Sequence, residues 1–201
     1  MLNKRMFLTL IAIGLLTVVA QSGYAATTID VNKSKVEWIG TKVTGQHNGT
    51  LDLVSGSVDF SGSQIKAARF VFDMQSIKVL DIKDQKRNSS LVNHLKDDDF
   101  FSADRYPTAV FELRSAKPIK AASPAEENYL ITGDLTIKGI THAITFKSRV
   151  DLSGSKAQAR GTILVDRTKY GITYKSGSIF ESIGDRAIHD EFSIAFEVVT
   201  Q

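Results

Sequence analysis

The sequence contains no cysteine, and this absence removes several classes of protein before any motif is considered. Without cysteine there is no disulfide framework, no thiolate nucleophile, no cysteine-ligated zinc or iron–sulfur site and no CxxC redox pair. Proline is also scarce, with 3 residues among 201, while 42% of the residues are hydrophobic and 23% are charged. That balance is typical of a globular chain rather than of a disordered or collagen-like one. The sequence therefore predicts one domain stabilised by its own core.

An excess of charge is also lacking over most of the chain. The formal net charge is +3, but Lys4 and Arg5 supply +2 of it within the first 25 residues, and the next charged residue is Asp30. The remaining 25 − 2 = 23 basic residues face 22 acidic ones. Binding to nucleic acid or to anionic membranes calls for a basic patch or stripe. The sequence accordingly predicts no nucleic-acid partner.

The first 25 residues have the layout of a secretory signal sequence. A basic start precedes a 14-residue, mainly apolar run over residues 7–20, and Gly23 and Ala25 provide small residues at positions −3 and −1 of a cleavage site. A membrane-spanning helix needs about 20 apolar residues, so this run is short for an anchor. We expect cleavage after Ala25, a periplasmic location for a domain of residues 26–201, and no stable membrane anchor afterwards. An uncleaved N-terminal anchor is the alternative.

Beyond residue 25, apolar and polar residues alternate repeatedly, which is typical of strands with one buried face. In one such segment Phe70, Phe72 and Met74 alternate with Val71 and Asp73. About eight segments behave as strands, at residues 36–41, 49–60, 69–75, 109–114, 129–138, 144–150, 157–166 and 192–198. Because one face is dry and one is wet throughout, the pattern favours an all-β fold in which an antiparallel sheet closes into a barrel without exposed edges.

Residues 84–101 interrupt the alternation. Leu91, Val92 and Leu95 lie at helical spacing, which predicts a short helix ending near Lys96, followed by a loop. The acidic triplet at residues 97–99 lacks the alternating spacing of a calcium loop and is expected to be a solvated loop. Two adjacent phenylalanines at residues 100–101 need burial, so the helix and loop either plug one end of the barrel or form the lid of a ligand cavity.

No catalytic motif is found in the sequence. The four histidines, His47, His94, His142 and His189, form no HxH, HxxxH or HExxH pair. There is no nucleophile elbow, no Walker loop and no dinucleotide fingerprint, and most carboxylates occupy the polar phase of a strand. We therefore expect no catalytic residue, no metal and no cofactor.

The interior of the predicted barrel is the remaining candidate for function. About eight strands leave a space that is either filled by side chains or holds one small ligand. Ala157, Ala159 and Gly161 form an unusually small inner face. Aromatic side chains opposite this face could pack into it, or an apolar slot could remain that binds a hydrophobic chain, at about 0.8 kcal/mol for each buried CH₂.

A series of motifs in a fixed order resembles the YceI-like family of bacterial proteins. The motifs are Val36-x-Trp38, Gly45-x-His47-x-Gly49-Thr50, Asp73-Met74-x-Ser76-Ile77, Leu91-x-x-His94-Leu95, Asp99-Phe100-Phe101, Tyr106-Pro107-Thr108-Ala109-x-Phe111, Gly133-Asp134-Leu135-Thr136-Ile137-x-Gly139-Ile140-Thr141 and Arg167-x-x-Tyr170-Gly171-Ile172. They extend over nearly all of residues 26–201. His142 stands where many members have other residues, so no family role is assigned to it.

The resemblance implies an extended, lipocalin-like antiparallel β-barrel, usually periplasmic, whose central tunnel binds polyisoprenoid or other long amphiphilic lipids without catalysis. The implied partner is a long-chain isoprenoid or fatty lipid, carried or sequestered. A homodimer is left open. Two alternatives remain: an enzyme that acts on an isoprenoid in the same cavity, and an interaction module that uses the outside of the barrel.

The candidate ligand-binding residues are apolar side chains on the inner strand phases, the helix and the loop, each of which could instead be core. The candidates for the tunnel wall are Trp38, Phe72, Met74, Ile77, Leu91, Leu95, Phe100, Phe101, Phe111, Leu135 and Phe146. Arg167 and Tyr170 are the candidates for a polar mouth that holds a lipid headgroup.

Overall fold

The computed structural model describes residues 26–120, 123–180 and 184–201. The predicted signal sequence lies outside the described residues. These residues form nine antiparallel strands: β1 (Thr27–Thr28), β2 (Lys35–Lys42), β3 (Gly45–Ser61), β4 (Gln64–Val79), β5 (Thr108–Pro118), β6 (Tyr129–Ile137), β7 (Ile140–Ser153), β8 (Lys156–Asp166) and β9 (Ile188–Val199). One α-helix, α1 (Gln85–Lys96), follows β4, and 3₁₀ helices occupy Arg167–Tyr170 and Gly184–Arg186.

The strands close into a barrel. Neighbouring strands run in the order β3-β2-β9-β8-β7-β6-β5-β4, and β4 pairs with β3 again, so eight strands form the wall. β1 is an additional strand. It pairs with the second half of β3, where Thr27 lies opposite Val58, and Ile29 bridges to Thr200 just after β9. The predicted lipocalin-like antiparallel barrel of about eight strands with one short helix is therefore confirmed.

The barrel has two distinct ends because its strands run up and down in sequence order. The helix end carries the β2–β3 turn, the segment with α1, the β6–β7 turn and the connection from β8 to β9. The far end carries the β3–β4 turn, the β5–β6 connection and the β7–β8 turn. At the far end Ile29, Val58 and Val198 are all buried and form a separate apolar cluster.

Register shifts in the β3–β4 pair alter which side chains face inward. The shifts occur between Thr50 and Asp52 and between Leu53 and Ser55 on β3. Each shift changes the face presented by the residues that follow, because side chains alternate along a strand. As a result Met74 and Ile77, an odd number of residues apart on β4, are both buried.

Helix α1 is attached to the barrel at its start. The side chain of Asp84 accepts a hydrogen bond from the Arg87 backbone N–H and so caps the helix, and the Asn88 amide donates to the carbonyls of Val79 and Ile82. None of its 12 residues is fully buried. The helix predicted to end near Lys96 is confirmed. No helix in the described residues is long and apolar enough to cross a membrane.

The barrel wall divides between β7 and β8. Ladder pairs join Ser148–Ser153 of β7 to Lys156–Gly161 of β8, while residues 140–147 and 162–166 are not paired to each other. The 3₁₀ helix that starts at Arg167 occupies the helix end of this divide. There the His142 ring meets the Tyr170 ring edge-on at a centroid distance of 5.3 Å, and His142 Nε2 lies 2.9 Å from the Lys169 carbonyl oxygen.

Candidate functional site: an apolar tunnel inside the barrel

A continuous cavity of about 220 Å³ runs along the inside of the barrel. Thirty-six of the described residues line it, and all of these except Ser148, Arg167 and His189 are apolar or glycine. No carboxylate is among these lining residues in the part of the chain that the structure describes. The cavity is thus a tunnel suited to apolar chains.

Phenylalanine side chains form a belt across the tunnel. Phe111 on β5 lies 6.3 Å from Phe70 and 5.8 Å from Phe146 between ring centroids, and Phe146 lies 5.8 Å from Phe196. The alternation of these strands directs all four rings inward. Gly133 lies directly against this belt, because a Cβ atom there would come within 2.3 Å of the Phe111 ring.

Of the three residues on the small inner face, two line the tunnel. Ala157 and Ala159 line the cavity. Gly161 is packed instead, since an added Cβ would lie 3.0 Å from both the Lys147 carbonyl oxygen and the Phe196 ring. Large aromatics therefore fill part of the interior, and open space remains beside the alanines.

The tunnel is long compared with its width. Its lining on β4 alone extends from Ile65 to Ile77. Twelve residue steps at about 3.3 Å each cover roughly 40 Å of strand, or about 30 Å along the axis at the tilt usual in barrels. That is the thickness of a bilayer hydrocarbon core, about twice what one leaflet offers an acyl chain.

At the helix end, α1 and its loop complete the tunnel wall. Leu95 of α1 and Phe100 and Phe101 of the loop line the cavity. Phe101 meets Phe192 of β9 edge-on at 6.2 Å, and Phe100 is buried against the His94 ring at 4.9 Å. The adjacent phenylalanines of the loop are thus buried by closing the side of the tunnel.

Arg167 is the charged residue of the lining, and protein atoms engage its donors. Its guanidinium donates to the carbonyls of Ile172, Tyr174, Ile188 and His189 at 2.9–3.1 Å and approaches Asp190 at 3.5 Å. Burial alone would raise the pKa of Asp190, but hydrogen bonds from Ser176 and Ser178 and the charge of Arg167 hold that pKa below its usual value. The arginine therefore holds the β8–β9 connection together.

Two buried polar groups near the tunnel lack hydrogen-bond partners among the described residues. The indole N–H of Trp38, on the tunnel wall, is one. The hydroxyl of Tyr170 is the other; this side chain is 1% exposed, and burial raises the pKa of its phenol to about 12. Ser148 is satisfied, since its hydroxyl donates to the Arg160 carbonyl at 3.0 Å.

Most of the candidate residues from the sequence lie together around the cavity. The lining includes Trp38, Phe72, Met74, Ile77, Leu95, Phe100, Phe101, Phe111, Leu135, Phe146 and Arg167. Two candidates do not line the tunnel. Leu91 is half-buried on α1, and Tyr170 is buried in the hydrophobic core. Contact of any of these residues with a ligand stays a prediction.

Several lining residues were not among the candidates. Phe70 and Ile131 share the inner phase of β4 and β6 with residues that were chosen, and Ile194 lies on the inner phase of β9, from which none was chosen, so alternation alone could have identified them. Leu51 and Val58 lie on either side of the β3 register shifts, where alternation does not give the face reliably.

One cluster of metal-ligating side chain types lies on the surface near α1. His94, Asp97 and Asp99 place one ligand atom each within 4.8 Å of one another. Within the cluster, His94 Nε2 is 3.0 Å from Asp99 Oδ2, and Asp97 Oδ1 accepts from the Asp99 backbone N–H at 2.9 Å. These hydrogen bonds within the cluster are sufficient to explain why the three side chains lie close together.

Comparison with solved structures gives the same fold. BcnA of Burkholderia cenocepacia superposes with a TM-score of 0.68 at 23% identity, covering 86% of this chain and 99% of BcnA. A polyisoprenoid binding domain from Saccharophagus degradans, implicated in plant cell wall breakdown, superposes with a TM-score of 0.62 at 15% identity, covering 88% and 98%.

Sequence comparison finds shorter matches. A UPF0312 protein of Staphylococcus aureus (strain bovine RF122 / ET3-1) is 36% identical over 97 residues, which are 44% of this chain and 50% of that protein. The matched region is thus half the length of that relative. The model of the YceI-like domain matches residues 28–200, which include every strand of the barrel wall. The chain belongs to the YceI-like family.

Proposed function

We propose that this protein binds one long apolar lipid chain, of the polyisoprenoid class, inside the barrel and carries or sequesters it. The observation that supports this most directly is the lining, in which 33 of the 36 described residues are apolar or glycine. Each CH₂ group transferred from water into such a tunnel gains about 0.8 kcal/mol. A length of about 30 Å fits a chain longer than the half-thickness of a bilayer.

The family and the description of the Saccharophagus domain as polyisoprenoid-binding support the same ligand class. The polar groups of the lining favour carriage over conversion. Ser148 and Arg167 already bond to backbone carbonyls, and Nδ1 of His189, the third polar residue of the lining, lies 2.8 Å from the Thr41 hydroxyl oxygen. The Trp38 indole N–H is the unengaged donor of the wall and is suited to the polar end of an amphiphile.

We also propose that the chain is exported and that residues 1–25 are removed in the process. The apolar run and the small residues Gly23 and Ala25 support this. The intact mass of the protein from a bacterial periplasmic fraction should correspond to a chain that begins at Ala26. A mass that retains the first 25 residues would contradict cleavage.

Lipid extraction and mass spectrometry test the binding function. Purified protein should release a long-chain isoprenoid in about equimolar amount, and Ala159→Trp, which fills the tunnel beside the phenylalanine belt, should reduce that amount severalfold. The matched control is Thr162→Trp, because Thr162 lies on the same strand but faces solvent. Wild-type protein that repeatedly yields no lipid, or equal loss in both variants, would contradict the proposal.

A further inference from the structure

Large exposed apolar side chains are distributed unevenly over the barrel. Eight occur in the described residues. Four of these lie on connections at the helix end and a fifth, Ile140, begins β7 at the same end, whereas Ile39, Val54 and Leu164 lie further inside strands. None of the eight lies on a far-end connection in the described part of the chain. We name the set at the helix end the apolar rim, and it consists of Val43, Leu80, Ile140, Ile179 and Phe180.

Backbone hydrogen bonds join the first part of the rim. The Leu80 N–H donates to the Asn48 carbonyl at 2.9 Å, which places the residue after β4 beside the start of β3. The Val43 N–H, in the β2–β3 turn, donates to the Ala187 carbonyl at 3.2 Å. Leu80 and Val43 therefore both lie near the start of β3, and the hydrogen bond to Ala187 places Val43 next to the β8–β9 connection.

The second part of the rim continues from that connection. The N–H groups of Ile179 and Phe180 both point to the Ser176 carbonyl, and Ser176 bridges to Ile188 at the start of β9. Phe180 borders a surface depression that Gly171 also borders. Ile140 reaches the same place, because its Cδ1 lies 3.7 Å from the position of a Cβ added to Gly171. The rim thus follows the edge of the helix end.

The tunnel differs between its two ends in a way that matters for lipid exchange. The far end is lined by Ile29, Val58 and Val198, which form one apolar cluster and are each at most 8% exposed. The helix end is walled by α1, which has no fully buried residue, and by its loop. A wall made of one helix and its loop can move without breaking strand pairs, which favours exchange of a long lipid at the end that carries the rim.

We propose that the apolar rim inserts shallowly into the surface of a zwitterionic phospholipid bilayer, so that the helix end of the tunnel faces the membrane from which lipid is exchanged. This inference rests on the proposed lipid-binding function. Beyond lipid binding, the inference assigns a docking surface to the barrel and a phospholipid bilayer as the partner of that surface. Apolar side chains exposed together on one side of a soluble protein mark sites of contact with proteins or membranes.

The geometry of the rim favours a bilayer over a second copy of the chain. Its side chains stand on separate turns around the end of a barrel, so they suit insertion into a fluid interface better than packing against one flat protein face. Charged residues at the helix end carry both signs, and some of these pair locally, such as Arg105 with Asp98 at 2.8 Å. Asp98 borders the same surface depression as Phe180. Insertion of apolar side chains should therefore dominate, with weak dependence on salt.

Flotation with phosphatidylcholine vesicles tests the inference. Wild-type protein should float with the vesicles, about equally in low and high salt, and Phe180→Asp should lower the apparent affinity about tenfold, equivalent to about 1.4 kcal/mol. Leu80→Asp, on a different turn, should act in the same direction. The matched control is Leu164→Asp, because Leu164 is 63% exposed but lies on the barrel wall; this variant should bind like wild type.

Three results would overturn the inference: wild-type protein that does not float, binding that survives both rim substitutions, or a loss that is equal in Leu164→Asp. Self-association of the wild type that Phe180→Asp abolishes, without vesicle binding, would assign the rim to a dimer instead. Mass spectrometry of extracted lipid separates this question from the proposed function, since a loaded protein that never floats contradicts only the docking surface.

Discussion

The sequence identifies Arg167 as a candidate residue, but its hydrogen-bond partners are seen only in the structure. The sequence suggests a headgroup contact at the mouth, and that contact stays a prediction. The structure shows a side chain only 5% exposed whose guanidinium bonds four backbone carbonyls that come from two separate segments. The two segments meet where Ser176 bridges to Ile188 and the Ile188 N–H donates to the Lys175 carbonyl, a contact that no local pattern around Arg167 reveals.

Replacement of Arg167 by lysine should destabilise the fold by about 3 kcal/mol. A lysine ammonium has three donors on a single atom and cannot bond all four carbonyls that the planar guanidinium bonds, and each buried acceptor left unpaired costs about 1–3 kcal/mol. Urea unfolding measures the change. Arg105→Lys is the control, because the Arg105–Asp98 pair is well exposed and should be worth less than about 1 kcal/mol. A small loss of stability with loss of bound lipid would favour the headgroup role instead.

Tyr170 gives the fold a specific dependence on alkaline pH. Its phenol has a pKa of about 12 in the folded state, against 10.0 as the ordinary value, because burial disfavours the phenolate. Between these values the unfolded chain releases the proton first, so unfolding becomes easier as pH rises. Below pH 10 both states hold the proton and the contribution is constant.

Stability should therefore fall from pH 10 towards pH 12 by up to about 1.4 kcal/mol per pH unit through this group. Tyr170→Phe should remove that part of the fall. At neutral pH the variant should be about as stable as the wild type, since the hydroxyl has no partner among the described residues. Urea unfolding at several pH values measures both effects. A stability difference between the two proteins that is the same at pH 9 and pH 11.5 would contradict the assignment.

Among the structural elements, the sequence predicts most reliably those whose pattern is local. Alternation identifies β5 to β9, and the interruption near residue 84 together with the spacing of Leu91 and Leu95 identifies α1. Alternation is less informative for β3, because register shifts after Thr50 and Leu53 change its inner face. β1 escapes prediction because two residues cannot show a period. The divide between β7 and β8 depends on pairing across strands and has no sequence signal.

Asp84 should control how firmly α1 closes the side of the tunnel. Its side chain accepts from the Arg87 N–H at 2.8 Å, and loss of such a cap costs a helix about 1 kcal/mol. Asp84→Ala should therefore lower hydrogen-exchange protection of the α1 amides about fivefold while leaving that of β6 unchanged. Asp84→Ser retains a capping oxygen and is the control. Equal loss of protection in α1 and β6 would show that the whole fold, not the helix, responds.

At the scale of the whole molecule, the sequence predicts a barrel but not its interior. Both a filled core and an open tunnel are compatible with inward Phe111 and Phe146 facing inward Ala157 and Ala159. The difference depends on how the rings tilt and where Gly133 and Gly161 allow close approach, which is set by packing across several strands. The structure leaves a cavity of about 220 Å³, and an apolar cavity of that kind lacks contacts that a ligand could supply.

Removal of bound lipid should accordingly lower the stability of the barrel. A ligand that binds only the folded state adds about 2.7 kcal/mol when its concentration is roughly 100 times its Kd. For a chain of this size each kcal/mol shifts the Tm by about 2–4 °C, so delipidated protein should unfold about 5–10 °C lower than loaded protein. Differential scanning calorimetry before and after solvent extraction, with lipid added back, measures this. In Ala159→Trp the difference should nearly vanish, because the side chain occupies the ligand's place, whereas Thr162→Trp should retain it. A loaded and a delipidated wild type with the same Tm would contradict binding of the lipid to the folded barrel, since any ligand that binds only the folded state raises its stability.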